Sequence, residues 1–214
     1  MSPSLIAIMS CHKHRAWQDA QRQTWIKDIP AGPDYRFFLG NPRPESVCAD
    51  EAFLDVPDDY DSLTHKIKGM IEWALGHGYG NMYKCDIDTL VSPVNLMGSG
   101  FERHDYVGRY YYNYPAPQFA SGGSGYCLSE RAMRLVVAEP TEGYPFEMLA
   151  EAVFVAWALI GSDILLQDDA RYKYAPGSVL DKETISVHLS STPGWHTPYA
   201  PEHMFVKYAE FKAL

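Results

Sequence analysis

Residues 82–90 read Met-Tyr-Lys-Cys-Asp-Ile-Asp-Thr-Leu, an extended-looking run that delivers Asp86 and Asp88 just before a turn signal at Ser92-Pro93. "NMYKCDI" has the composition of a buried strand, and burying a carboxylate is costly unless it is paired or bound to a metal. At positions i and i+2 the two acids share one face of a strand. Where the strand stops, the second can turn toward a cleft. Just upstream, "DSLTHKIKGMIEWALGHG" sets Leu63, Ile67, Met70, Ile71, Ala74 and Leu75 at helical spacing. Asp61 or Ser62 serves as its cap and Gly76 and Gly78 as its exit. Before that helix, "AFLDV" (52–56) reads as a strand stopped at Pro57. Strand, helix, strand in this order is a crossover unit and implies a parallel sheet. In open sheets of this kind, ligands bind beyond the carboxyl ends of the strands, where the two aspartates fall.

The flanking chain repeats the pattern. Leu5–Met9 is a short apolar run ending at Ser10-Cys11-His12, and "YRFFLG" (35–40) is a strand closed by Gly40 and Pro42. Residues 14–27 read as helical, "PVNLM" as a short helix and "DYVGRY" as a strand. After the aromatic and glycine-rich loop "YYNYPAPQFASGGSG", "YCLS" leads into a helix over 130–138. "FEMLAEAVFVAWALIG" (146–161) is apolar nearly all round, as a buried helix should be. "DILLQDD" and "TISVHL" (184–189) are strand-like, and a Pro/Trp/His-rich tail follows. No internal repeat or low-complexity linker interrupts the chain. One α/β domain spanning 1–214 is expected, with a Rossmann-like, mostly parallel sheet flanked by helices, either standing alone or cut from a larger protein.

Composition excludes some functions. With 18 Lys and Arg against 27 Asp and Glu, the net charge is −9, so the surface repels phosphate backbones and makes a poor nucleic-acid platform. Cys11, Cys48, Cys85 and Cys127 form no CxxC pair, and reduced, buried thiols are expected. "SLIAIMS" lacks the length and the basic flank of a signal segment, and no stretch approaches the ~20 apolar residues of a membrane span. A soluble protein, cytoplasmic as given, is the expectation.

Two adjacent carboxylates repel unless a cation screens them. Hard divalent ions take oxygen ligands of this kind and keep positions open for diphosphate oxygens. A nucleotide-sugar site uses that chemistry, the metal neutralising the departing diphosphate. The bland alternative is a pair of exposed loop aspartates.

Several landmarks, in order, resemble the inverting β-1,3-glycosyltransferases of the galactosyltransferase and Fringe type, which have a GT-A fold. They are Arg22-Gln23-Thr24-Trp25, "FFLG" (37–40), "DYDSLTHK" (59–66), "YKCDIDTLVSP" (83–93), and "YP" (114–115) followed by "SGGSGYCLS" (121–129). The resemblance spans about residues 5 to 170. It implies transfer of a sugar from a nucleotide diphosphate donor, UDP-linked, to a hydroxyl of a glycan or glycoconjugate. Mn²⁺ or Mg²⁺ would be held by Asp88, with Asp86 and His188 helping and His196 as the fallback histidine. Arg22, Asp86, Lys66, Gly122 and Gly123 would lie at the donor, although a solvated helix face explains Lys66 equally well. Tyr112 and the tail residue Trp195 are expected at the acceptor.

The general base is where the likeness breaks. The family carries an Asp at the start of a helix, and the matching residue here is Ala152. Glu147 and Glu151 are four apart on one helical face and are the only charges in that apolar helix, where burial raises a carboxylate toward a base's working range. Glu151 is the first choice and Glu147 the second, with helix capping as the structural alternative for either. Two rivals follow: a nucleotide-sugar-binding relative without a base, and a metal-dependent nucleotidyltransferase.

Overall fold

The computed structural model describes residues 3–111, 118–143, 151–174, 178–189 and 200–214. Strands β1 (Ser4–Met9), β2 (Asp34–Asn41), β3 (Glu51–Pro57) and β4 (Asn81–Asp86) build the parallel half of the main sheet. Helix α1 (Arg15–Gln23) lies between β1 and β2 in the chain, and α2 (Leu63–Gly76) between β3 and β4. After the aspartate turn come β5 (Thr89–Val91), α3 (Pro93–Gly98), β6 (Tyr106–Gly108) and the hairpin β7 (Tyr110–Tyr111) with β8 (Phe119–Ala120). Then follow β9 (Tyr126–Ser129), α4 (Glu130–Ala138), α5 (Glu151–Leu159), β10 (Gln167–Asp168), β11 (Tyr172–Lys173), β12 (Ser186–His188) and α6 (Glu202–Lys212). The main sheet has the order β10-β6-β9-β4-β1-β2-β3, with β9 antiparallel to both its neighbours. A second, small sheet has the order β11-β12-β5.

β1 lies between β2 and β4, and all six of its residues are buried. That explains its unbroken apolar run, since a central parallel strand has no solvent face. Alternation still sorts the side chains by face. Leu5, Ala7, Met9 and Met82 pack with α2, α4 and α5, whereas Ile6, Ile8, Tyr83 and Cys85 pack with α1 and its surroundings. α2 turns Ile67, Met70, Ile71 and Ala74 into the first of these layers. The alternation puts Lys84 and Asp86 on the same face as Met82, beneath α5.

Several elements differ from the sequence expectation. The helix over 14–27 breaks after Gln23, where Thr24 Oγ1 donates to Ala20 O (2.6 Å) and Trp25 drops fully into the core. A 3-10 turn over Trp25–Asp28 completes the segment. Of the helix expected over 146–161, the structure shows Glu151–Leu159. "DILLQDD" yields only the two residues of β10, with Leu165 exposed. The tail ends in α6, anchored by the buried Met204 and by Tyr208 Oη donating to Asp28 (2.8 Å). The four cysteines are free, with Cys85 and Cys127 buried and Cys48 exposed. No helix among the described residues is long and apolar enough to cross a membrane.

Candidate functional site

The turn from Asp86 to Thr89 carries the site, and three elements hold it rigid. From α1 the buried Gln21 side chain donates toward the carbonyls of Asp86 (3.2 Å), Ile87 (2.8 Å) and Thr89 (3.2 Å). Thr89 Oγ1 accepts from Asp86 N (3.1 Å) and donates to Gly123 O (2.7 Å). β12 runs antiparallel to β5 with His188 opposite Thr89, and Leu189 N donates to Asp88 O (3.0 Å).

This framework brings Asp86, Asp88 and His188 together, with one ligand atom of each within 4.8 Å of the others. His188 Nε2 lies 3.3 Å from Asp88 Oδ2. Two carboxylates and an imidazole from two strand ends form a donor set that suits a divalent ion. Burial alone would lower the His188 pKa, but the Asp88 hydrogen bond and the charges of Asp88 and Asp86 outweigh it and raise it. Asp86 is pushed up to about 6, first by burial and then by the repulsion of Glu151 and Asp88, which Lys84 only partly offsets.

Lys84 is the residue sequence reading missed. It is 0% exposed. Its Nζ donates to Asp86 Oδ1 (2.6 Å) and to Glu151 Oε1, and lies 3.4 Å from Gly122 O. Burial would lower its pKa, but the two carboxylates overcome this and raise it. The signal was present in the alternation Lys84-Cys85-Asp86, which puts lysine and aspartate on one strand face.

Glu151 is 3% exposed and opens α5, so the helix presents it to Lys84 rather than to solvent. Ala152, at the family's base position, is fully buried in the apolar core and does not face the cluster. Glycine lets the backbone come close above the pair. A Cβ on Gly122 would come within 2.6 Å of Glu151 Oε1, and one on Gly123 within 2.6 Å of His188 Nδ1. Gly122 and Gly123, expected at the donor, thus make their close approach to Glu151, Lys84 and His188. The loop's carbonyls are also engaged, Ser124 O accepting from Tyr83 Oη (3.2 Å) and from Ser186 Oγ.

The other expected donor residues are each engaged by an acid outside the Asp86–Asp88–His188 set. Lys66 Nζ donates to Ser10 O (2.6 Å) and to Asp58, whose carboxylate also accepts from Gly40 N (2.8 Å) and His12 N (2.6 Å). Arg22 grips Asp50 through two 2.9 Å hydrogen bonds, pairs with Asp19, and covers the Phe37 ring. Its part of the Arg-Gln-Thr-Trp landmark therefore ties α1 to the β2–β3 connection. Glu147, Tyr112, Trp195 and His196 lie outside the described residues.

Aromatic side chains rim the cluster. Tyr60 is 72% exposed, yet the charges of Glu151 and Asp86 reach its phenol. Burial and those charges raise its pKa. On the hairpin that leads into Gly122, Tyr111 meets Tyr174 edge-on at 5.8 Å and Phe119 at 5.5 Å. β11 pairs Lys173 with Val187, so Tyr174 emerges at the level of His188.

No protein-family model matches the sequence, and no curated protein matches it. The solved structures do. The galactosyltransferase LgtC, crystallised with donor and acceptor sugar analogs, is similar at a TM-score of 0.57 and 12% identity, over 96% of this chain and 95% of that one. The glycosyltransferase GlyE of Streptococcus pneumoniae TIGR4 gives 0.59 at 7% identity, over 98% of this chain and 60% of its own. A glycosyltransferase involved in glycosylation of the major capsid of PBCV-1 gives 0.57 at 14% identity, over 95% and 99%. The fold is that of these glycosyltransferases, in line with the GT-A-like expectation.

Proposed function

We propose that this chain is a metal-dependent glycosyltransferase that moves a sugar from a nucleotide diphosphate, UDP-linked, to a hydroxyl of a glycan or glycoconjugate. The observation that carries the reading is the convergence of Asp86, Asp88 and His188 at a strand end, in a fold shared with glycosyltransferases. A bound Mn²⁺ or Mg²⁺ would neutralise the diphosphate as it leaves. The protein's own part is to hold that ion through Asp88, Asp86 and His188, to fix the Asp86 carboxylate through Lys84, and to shape the cleft with the Gly122–Gly123 loop. Tyr60 flanks the donor, and Tyr111 and Tyr174 offer the acceptor sugar flat apolar faces with polar tips.

We further propose inversion, as in the β-1,3 family the sequence resembles. The acceptor oxygen bonds to the anomeric carbon, the bond to the diphosphate breaks with its electron pair, and the acceptor proton passes to a carboxylate. Among the described residues, Glu151 is the carboxylate of this cluster that stands outside the metal set, and its ion pair with Lys84 holds it beside Asp86. Its burial beneath Gly122 favours the second reading, a donor-binding relative that does not turn the donor over.

Donor turnover separates the two. The parent should release UDP from a UDP-sugar only when Mn²⁺ is present, and Asp88→Ala should abolish Mn²⁺-dependent UDP binding while the melting temperature holds. An Asp88→Ala protein that binds UDP and Mn²⁺ like the parent would remove the metal site. At saturating Mn²⁺ and donor, Glu151→Gln should slow transfer by about 10²–10⁴-fold. Transfer at the parent rate would make Glu151 structural, and UDP binding without any turnover by the parent would favour the binding relative.

A further inference from the structure

We propose that Lys84 is a resident cation of the Asp86–Asp88–His188 site, set there to keep divalent-ion affinity low until the donor diphosphate arrives. The proposal rests on the metal-site reading above.

Lys84 shares a ligand with the ion. Its ammonium donates to Asp86 Oδ1 (2.6 Å), and Asp86 belongs to the cluster whose ligand atoms lie within 4.8 Å of one another. Asp86, Asp88 and Glu151 bring three formal negative charges and Lys84 one positive. The remaining two match a single divalent ion. Two cations drawn to one carboxylate repel each other, and with Lys84 fully buried little water screens that repulsion. The ion therefore binds Asp86 against Lys84.

Glu151 works in the opposite direction. It accepts the ammonium's other strong hydrogen bond and draws its charge away from Asp86. The packing holds Lys84 between the two acids: Gly122 closes over the pair, and the Tyr126 ring centroid lies 5.6 Å from Nζ. A site tempered in this way holds an ion loosely on its own. The diphosphate restores the negative charge that Lys84 cancels, so ion and donor bind together, as suits an ion held by few protein ligands plus substrate phosphates.

The test is Mn²⁺ binding by electron paramagnetic resonance of the free ion, without nucleotide and with UDP, on the full chain. Lys84→Met should tighten Mn²⁺ alone by about tenfold or more, and UDP should then improve it less than in the parent. Glu151→Gln should loosen Mn²⁺ alone by a similar factor, because all of the ammonium's charge then falls on Asp86. The double variant removes a neutral pair and should return near the parent value. Mn²⁺ affinity in Lys84→Met equal to or weaker than the parent's overturns the proposal. If Lys84→Met does not fold, unchanged or tighter Mn²⁺ binding by Glu151→Gln overturns it equally. A parent that takes up no Mn²⁺ even with UDP would instead remove the metal site itself. Parent uptake with unmoved variants removes only the role of Lys84.

Discussion

Lys66 and Lys84 are 1% and 0% exposed, and each meets a carboxylate at the end of a strand of the main sheet. Around Lys66 the charges match one to one. Asp58 takes the ammonium on one oxygen, and the backbone N–H groups of Gly40 and His12 donate to the same carboxylate. Ser10 O takes another of the lysine's protons. Around Lys84 the charges do not match. One ammonium faces Asp86 and Glu151, and Asp88 adds a third acid beside them. A matched pair ties strands together, whereas an unmatched cluster of carboxylates leaves charge that a cation from outside could complete. Burial alone does not tell the two apart. The count of charges does.

The comparison breaks most visibly at Lys66. Lys66→Met leaves Asp58 a buried charge without its cation, a change that typically costs about 3–5 kcal/mol. At about 2–4 °C per kcal/mol for a chain of this size, the melting temperature should fall by about 6–20 °C. UDP and Mn²⁺ affinity of the surviving folded protein should be unchanged. A thermal melt with parallel titrations checks both. An unaltered melt with weakened UDP binding would return Lys66 to the donor site, where the family resemblance put it.

The matched pair was half-legible in the sequence. Periodicity located α2 and therefore Lys66, but Asp58 follows a strand on the far side of a turn, and nothing local says that the two meet. β1, β2, β4 and α4 were readable for the same reason as α2, because each buries a face whose period the side chains print. β10 and β11 have two residues each, too few to print a period. α6 buries only Met204 and so lacks a clear apolar stripe, although Pro201 ahead of it was a usable start signal. The aspartate turn stood out by itself. His188 and Glu151 were named through the family resemblance, but nothing local says that they meet Lys84 and Asp86, because Glu151 lies 67 residues from Lys84 and His188 is brought in by a different sheet.

Acidity sharpens the contrast. Asp58 is held below its ordinary pKa: burial pushes it up, but Lys66 and the two backbone donors outweigh that. A carboxyl depressed in the folded state stabilises the fold above its unfolded pKa and loses that contribution only as pH falls through the folded value. Between pH 5 and 8 the matched pair should therefore leave the melting temperature flat. The open cluster should respond over the same range. An ion needs Asp86 ionised and His188 neutral, and both groups titrate above their ordinary values, Asp86 at about 6. Mn²⁺ binding thus releases protons and strengthens as pH rises. Affinity should climb by up to about tenfold per unit for each proton released through pH 5.5–7.5, read as Mn²⁺ Kd in a pH series. A flat series would take Asp86 and His188 out of the ligand set.

The smallest expected effect lies at the rim. Tyr60 stands on the side of the cluster formed by the turn before α2, and Tyr111 with Tyr174 on the side of the β7–β8 hairpin and β11. Tyr174 is exposed and makes an edge-on contact with Tyr111, while the chain after β8 runs within two residues to Gly122. A sugar ring brought against this pair would lie beside the loop that closes over Lys84 and Glu151. Aromatic contacts of this type are worth about 0.5–1.5 kcal/mol. Tyr174→Ala should therefore raise the acceptor KM by about 2–10-fold while kcat, UDP affinity and the melting temperature stay close to the parent. Tyr60→Ala should do the reverse, raising the donor KM and leaving the acceptor's alone, because Tyr60 belongs to the turn before α2 and the charges of Asp86 and Glu151 reach it. Parallel KM measurements with donor and acceptor varied in turn distinguish the two. If both variants shift the same KM, the two aromatic sides do not serve separate substrates. If Tyr174→Ala lowers stability and shifts neither, its contact with Tyr111 serves only to hold the hairpin against β11.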